Sequence, residues 1–255
     1  MITFTLNGKK VVAENDATVL EIAREQGIDI PTLCHHDDLL PYGVCRVCVV
    51  EITRGKRKRV VASCTYQAEE GLVVDTHSER ALNVRKGVAE LLLARHPNVK
   101  VIKELAAKLG ITEPNPRFSI ENDYCILCGM CVRACREIVG AHAINFAERG
   151  VTRRVSSPFS EAAGDCIACG TCVYICPTKI ITMQDVADGG AVYPGGRESL
   201  GPRRIIHTWK VNAEMVPCRV CKRPFTTQAK IEFMQKRAQV PVPIEELTIC
   251  PTCKG

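Results

Sequence analysis

CILCGMCVRAC at 125–135 and CIACGTCVYICP at 166–177 are two copies of one pattern, C-x2-C-x2-C-x3-C. Four thiolates at this spacing hold a 4Fe–4S cubane, and in two-cluster proteins the fourth cysteine of each run ligates the other cluster. The pattern therefore assigns Cys125, Cys128, Cys131 and Cys176 to one cubane, and Cys166, Cys169, Cys172 and Cys135 to a second. Stacked zinc knuckles, the plainer reading, account for neither the x3 gaps nor the repeat. Gly129 and Gly170 follow the second cysteine of each copy, where the lack of a Cβ lets backbone N–H groups approach inorganic sulfide. Cys176 precedes Pro177 but Cys135 precedes Arg136 and Glu137. The two cubanes thus have unequal surroundings, and unequal potentials are expected.

The other eight of the chain's 16 cysteines fall into two further sets. Cys34, Cys45, Cys48 and Cys64 are spaced C-x10-C-x2-C-x15-C. This suits a 2Fe–2S centre, although the first gap is wider than the plant-type C-x4-C-x2-C. A zinc site usually presents two paired knuckles, whereas Cys34 and Cys64 are unpaired. Cys218, Cys221, Cys250 and Cys253 do form two C-x2-C knuckles, which fit a closed structural zinc site or, as the alternative, a further Fe–S cluster.

Composition agrees with metal use. Residues 1–15, MITFTLNGKKVVAEN, lack the apolar run of a secretion signal, and no segment is long enough to span a bilayer. Cysteines clustered without a signal favour metals over disulfides, so a soluble cytoplasmic protein is expected. The formal charge of +6 counts every thiol as neutral. Four thiolate-bound metal groups at about −2 each bring the loaded chain to roughly −2, which removes the electrostatic case for nucleic-acid binding. No Gly-rich dinucleotide fingerprint, phosphate loop or radical-SAM triplet is present, so no substrate site of the chain's own is expected.

The chain divides into stretches of different pattern. ITFTL and KKVVAE alternate around Asn7-Gly8, a two-residue hairpin signal. Thr18 and Glu21 form a capping box opening a helix to about Gln26. VCVVEIT and RVVASC predict a second hairpin, with Arg54, Lys56, Arg57, Lys58 and Arg59 at a solvated tip that blunts the sheet edge. Together these suggest a β-grasp sheet over residues 1–78. Residues 78–96 and 99–110 read as helices broken at Pro97, a linker over 79–114. Residues 115–187 hold the paired cubanes, 188–204 form a Gly/Pro linker, and 205–255 hold the last four cysteines with a helix near 226–239. His35 and His36 are read as loop residues beside Cys34, and Tyr124 and Phe146 as packing residues.

IPTLCHHDDLLPYGVCRVCVVEI, YCILCGMCVRACREIVGAHAINFAERG and CIACGTCVYICPT, in this order, resemble the N-terminal part of the large iron–sulfur subunit of NADH dehydrogenase complex I. They also resemble the matching subunits of NAD(P)-linked hydrogenases and formate dehydrogenases. The resemblance covers about residues 1–185. It implies an α+β fold: a β-grasp 2Fe–2S ferredoxin domain, a helical linker and a bacterial-type paired 4Fe–4S ferredoxin domain, to which the two C-terminal knuckles, outside the resemblance, add a zinc-ribbon-like domain. It further implies an electron-relay subunit between a flavin- and NAD(P)H-binding subunit and hydrogenase-type catalytic subunits, with a thioredoxin-like 2Fe–2S subunit among its partners. Ferredoxin-linked bifurcation is an open elaboration, and an NAD(P)-linked formate dehydrogenase or other dehydrogenase is the alternative setting. The family usually carries an additional His/Cys3-ligated cluster after the helix ending ELLLARHP. Here no cysteine follows His96-Pro97 until Cys125, so that cluster is expected to be lost and His96 to be no ligand.

Overall fold

The computed structural model describes residues 1–118, 121, 123–187, 201–238 and 242–255. The chain forms two compact units, Met1–Cys128 and Gly129–Gly255.

The first unit is built on a five-stranded sheet. Strands β1 (Ile2–Leu6) and β2 (Lys9–Ala13) pair antiparallel across Asn7-Gly8. Both turn residues have positive φ (48° and 79°), the conformation that an Asn-Gly type I′ turn favours. Helix α1 (Val19–Glu25) starts where Thr18 accepts from the Glu21 N–H while Glu21 accepts from the Thr18 N–H. Such a cap contributes about 1 kcal/mol. Strands β3 (Val49–Arg54) and β4 (Arg57–Ala62) make the second hairpin, and β5 (Val73–Asp75) completes the sheet. The order is β2-β1-β5-β3-β4, with β5 parallel to β1, the order of a β-grasp sheet. Phe4, Leu6, Leu20, Ile22, Val50, Ile52 and Val74 form its core against α1.

The second hairpin turns more tightly than its basic run suggests. Strand β4 begins at Arg57 opposite Arg54, so Arg57, Lys58 and Arg59 lie in the strand itself. They are exposed because β4 is the sheet's edge, where unpaired backbone is best guarded by cationic side chains.

Helices α2 (Glu79–Arg95) and α3 (Lys100–Lys108) follow, with Pro97 between them. Their apolar faces close a second core in which Ala89, Leu93, Ile102, Leu105 and Ala106 pack with Leu33 and Val47 from the cysteine-bearing loop. The helices thus buttress that loop as well as continuing the chain.

The second unit opens within the first cysteine repeat, at α4 (Met130–Arg133), and the second repeat leads into α5 (Thr171–Ile175). α5 stops at Cys176-Pro177. α4 meets no proline and runs on as a π-helical turn over Ala134–Val139 that carries Cys135. A short hairpin, β6 (Asn145–Ala147) with β7 (Arg154–Ser156), separates them.

A four-stranded antiparallel sheet ends the unit: β8 (Met183–Val186), β9 (Arg203–Ile206), β10 (Val211–Pro217) and β11 (Pro224–Thr227), in the order β11-β10-β9-β8. β8 lies inside 115–187, yet it pairs with β9, which begins before residue 205 and runs past it. The sheet therefore crosses the limits expected at 187 and 205, because edge pairing with β9 satisfies the β8 backbone. Of the Gly/Pro linker, 188–200 lie outside the described residues. Ile206, Trp209 and Val211 share one core with Val132, Ala143, Cys172 and Ile181. α6 (Gln228–Arg237) packs on β10 and β11, and two single turns, α7 (Ile244–Leu247) and α8 (Pro251–Lys254), complete the unit. Among the described residues no helix is long and apolar enough to cross a membrane.

Candidate metal and iron–sulfur sites

The loop between α1 and β3 carries Cys34, Cys45 and Cys48, and the end of β4 leads to Cys64. Cys34, Cys48 and Cys64 are buried and Cys45 is half-buried. The Cys45 N–H donates to Cys34 Sγ at 3.4 Å. Gly43 turns the loop at a φ of 67°, where a Cβ would meet Thr65 Cγ2 at 2.9 Å, so close approach to the Cys64 segment requires glycine. Ser63 donates both its N–H and its hydroxyl to Cys48 O, which fixes the neighbouring backbone.

The four thiols are hydrogen-bonded in two pairs, Cys34 with Cys45 and Cys64 with Cys48. A hydrogen bond from Cys34 lowers Cys45 to about 6, and one from Cys64 lowers Cys48 to about 7, while their donors are raised. Arg85, buried in α2, gives two hydrogen bonds to Val49 O, at 3.0 and 2.7 Å. Burial lowers its pKa, and the Cys48 thiolate opposes that shift. A buried cation behind four thiols suits an anionic metal group.

The two repeats have the same local backbone. Leu127 and Ala168 lie at φ 52° and 51°, and Gly129 and Gly170 at 73° and 79°. Alternating left-handed residues turn successive N–H groups toward one side, the anion-binding arrangement that cluster sulfides require. A Cβ on Gly170 would also meet Met183 Cε and Sδ at 3.0 Å.

Cys135, Cys166, Cys169 and Cys172 line one cavity with Ile144, Ile167, Ile206 and Trp209. Its empty space is about 350 Å³ including the open mouth. Burial pushes Cys166 up to about 12 and Cys172 up to about 11, and raises Cys135. The four sulfurs converge on an apolar hollow where a metal group would take the place of the thiol protons. This donor set fits a cubane.

Cys128, Cys131 and Cys176 are buried and Cys125 is half-buried. Burial raises Cys176, but hydrogen bonds from the Thr178 hydroxyl and from the Ile180 and Thr178 N–H groups outweigh it and leave the thiol lowered.

The tail differs in scale. Cys218, Cys221, Cys250 and Cys253 bring their Sγ atoms within 4.8 Å of one another, and Cys221 Sγ stands 3.8 Å from Cys250 Sγ. Four thiolates bound tetrahedrally at about 2.3 Å hold their sulfurs about 3.8 Å apart, so the set fits one metal ion. Among the described residues it is the one set of metal-ligating side chains so close.

The knuckles are tied by backbone. Cys250 N–H donates to Cys218 Sγ, Arg219 N–H to Thr248 O, and Lys222, at φ 63°, donates to Cys218 O. The Cys250 N–H is the main cause of Cys218 falling to about 6, while a hydrogen bond to Cys250 drives Cys253 up to about 12.

Three further side chains reach sulfurs of the second repeat. Trp209 Nε1 donates to Cys172 Sγ at 3.4 Å. Thr171 Oγ1 lies 3.3 Å from Cys169 Sγ, and Thr178 Oγ1 lies 3.4 Å from Cys176 Sγ. The threonines each stand two residues after a cysteine, a regularity the sequence does display. Tyr124 is 43% exposed, so it is no packing residue, and Phe146 lies under Arg153 at 4.0 Å. His35 pairs with Asp37, and His36 Nδ1 accepts from the Asp38 N–H. His96 is buried with Nδ1 2.9 Å from Asp123 O, a contact between the end of α2 and the loop before Cys125.

Residues 1–79 match the 2Fe-2S iron-sulfur cluster binding domain, and residues 124–180 match the 4Fe-4S dicluster domain. The chain is 30% identical over 207 residues to the alpha subunit of an NADPH-Fe(3+) oxidoreductase of Geobacter sulfurreducens, covering 72% of this chain and 24% of that one. It is 32% identical over 215 residues to the HndD subunit of the NADP-reducing hydrogenase of Solidesulfovibrio fructosivorans, covering 72% and 36%. A solved chain of an NAD+-reducing [NiFe]-hydrogenase in its H2-reduced state superposes with a TM-score of 0.55 at 32% identity, over 64% of this chain and 76% of that chain. The chain thus spans well under half the length of the curated relatives it matches.

Proposed function

The chain belongs to the family of iron–sulfur subunits shared by NAD(P)-linked hydrogenases and complex I-type NADH dehydrogenases, and we propose that it relays electrons inside such a complex. The observation that carries this reading is the cavity ringed by Cys135, Cys166, Cys169 and Cys172, within a chain whose matched domains follow in the family's order.

Cys34, Cys45, Cys48 and Cys64 hold a 2Fe–2S cluster in a domain over 1–78. Cys125, Cys128, Cys131 and Cys176 hold the first cubane on the strength of their spacing, and Cys135, Cys166, Cys169 and Cys172 the second. Cys218, Cys221, Cys250 and Cys253 hold one zinc ion. The bound clusters supply one-electron chemistry. The residues fix cluster positions, exclude water with apolar walls, and direct N–H, hydroxyl and indole donors at thiolate sulfur.

A flavin subunit oxidising NAD(P)H on one side and a hydrogenase-type catalytic subunit on the other fit this role, in the cytoplasm. The test is optical. NAD(P)H alone should leave the visible absorbance of the anaerobic chain unbleached, while dithionite bleaches it. Adding the flavin subunit that co-purifies from the native cell should let NAD(P)H bleach it. Direct bleaching by NAD(P)H without a second protein would overturn the relay role.

A further inference from the structure

The C-terminal segment of the second unit, through its sheet, the β9–β10 turn and α6, touches the segments that carry the second cubane's ligands at four points. Thr227 Oγ1, buried, donates to Ile167 O at 2.7 Å. Arg204, held by Asp185 at 2.7 and 2.8 Å, reaches Ala168 O at 3.5 Å. Both carbonyls belong to the Cys166–Cys169 loop, and Ala168 holds the strained positive φ. Arg237 from α6 donates to Val139 O at 3.1 Å, at the end of the π-helical turn carrying Cys135. The fourth contact is made to sulfur itself: Trp209 Nε1–H to Cys172 Sγ, with the indole 3% exposed and walling the cavity.

We propose that Trp209 is a positioning residue for the second cubane, whose indole N–H raises that centre's reduction potential through Cys172 sulfur. The proposal rests on reading Cys135, Cys166, Cys169 and Cys172 as cubane ligands. Reduction by one electron adds one negative charge to the cluster and its thiolates. A donor aimed at a ligating sulfur therefore stabilises the reduced form more than the oxidised form. The backbone on both sides of the indole is fixed, since Ala163 N–H donates to Trp209 O and Lys210 N–H to His207 O. The donor is thus pre-set and does not have to be ordered on reduction. Through it the C-terminal segment, which lies outside the matched domains, tunes a centre inside them.

Trp209 is the only tryptophan in the chain, so global replacement of tryptophan changes one position. Growth of a tryptophan auxotroph on benzothienylalanine keeps the ring's shape and removes the N–H. EPR-monitored redox titration of the anaerobic full chain should then show one cubane shifted to more negative potential. The expected change is about tenfold in its reduction equilibrium, about 59 mV for a one-electron couple. The other cubane and the 2Fe–2S signal should not move, and iron content should be unchanged. Trp209→Phe should shift the same centre in the same direction.

Unmoved potentials at full iron content would overturn the proposal. Loss of about four iron atoms on isosteric replacement would overturn it too, since the donor would then serve assembly rather than potential. If the unsubstituted protein yields no pair of cubane signals, it is the ligand assignment beneath the proposal that fails.

Discussion

Two four-cysteine sets in the same unit use the same residue type for different ends. In the tail, Cys218, Cys221, Cys250 and Cys253 converge within 4.8 Å, locked by backbone hydrogen bonds between two knuckles. Around the second cubane site, Cys135, Cys166, Cys169 and Cys172 instead ring an apolar cavity. The left-handed residues Ala168 and Gly170 open the loop, and the π-helical turn brings in Cys135 from elsewhere. Backbone conformation, more than cysteine number, decides whether four sulfurs close on one ion or wrap a cluster. A closed tetrahedral site has no exchange position and suits structure, whereas a cluster in an apolar hollow suits electron transfer.

The largest effect should come from breaking the closed site. Cys250→Ser should abolish zinc binding. Structural zinc contributes about 10–16 kcal/mol of apparent binding free energy, comparable with the whole stability of a domain. Calorimetry should therefore show loss of the tail's cooperative transition, and a tail that melts normally without zinc would contradict the structural role. Next comes Cys169→Ser, which should remove one cubane and lower iron from about 10 to about 6 per chain while zinc stays at one. Zinc falling with iron would mean that the two sites are not independent.

Gly170→Ala forces an L-residue into positive φ and presses a methyl on Met183, so a loss of about 1–2 kcal/mol in urea unfolding is expected. An unchanged midpoint would show that the loop does not need its left-handed residue. The smallest effect belongs to Thr171→Val and Thr178→Val. Each removes a hydroxyl beside a cysteine sulfur and should move a cubane potential slightly negative in redox titration. A shift to positive potential would mean that these hydroxyls do not donate to sulfur.

Local signals proved readable where the physics is local. Asn7-Gly8 and the Thr18/Glu21 box act within four residues, and both form as their chemistry dictates. β5 carries no sequence signal, because three residues with exposed ends are too few to show a period. It exists by pairing with β1 and β3, neither of which neighbours it in sequence. The β8–β9 pairing hid for the same reason, spanning the whole Gly/Pro stretch. The missing proline after Cys135 was visible, but its consequence, a helix that continues in π form, depends on packing. At the candidate sites spacing alone groups the cysteines into sets. It does not give their hydrogen-bond partners, since Trp209 and Cys172 meet only through the tertiary fold.

Elemental analysis of the anaerobically purified chain, combined with low-temperature EPR, bears most directly on a conduit of three clusters beside one structural ion. About 10 iron, about 10 acid-labile sulfide and one zinc per chain are expected, with one 2Fe–2S and two cubane signals. About 14 iron and no zinc would overturn the single-ion tail, and a colourless preparation with zinc on the central eight cysteines would contradict electron relay altogether.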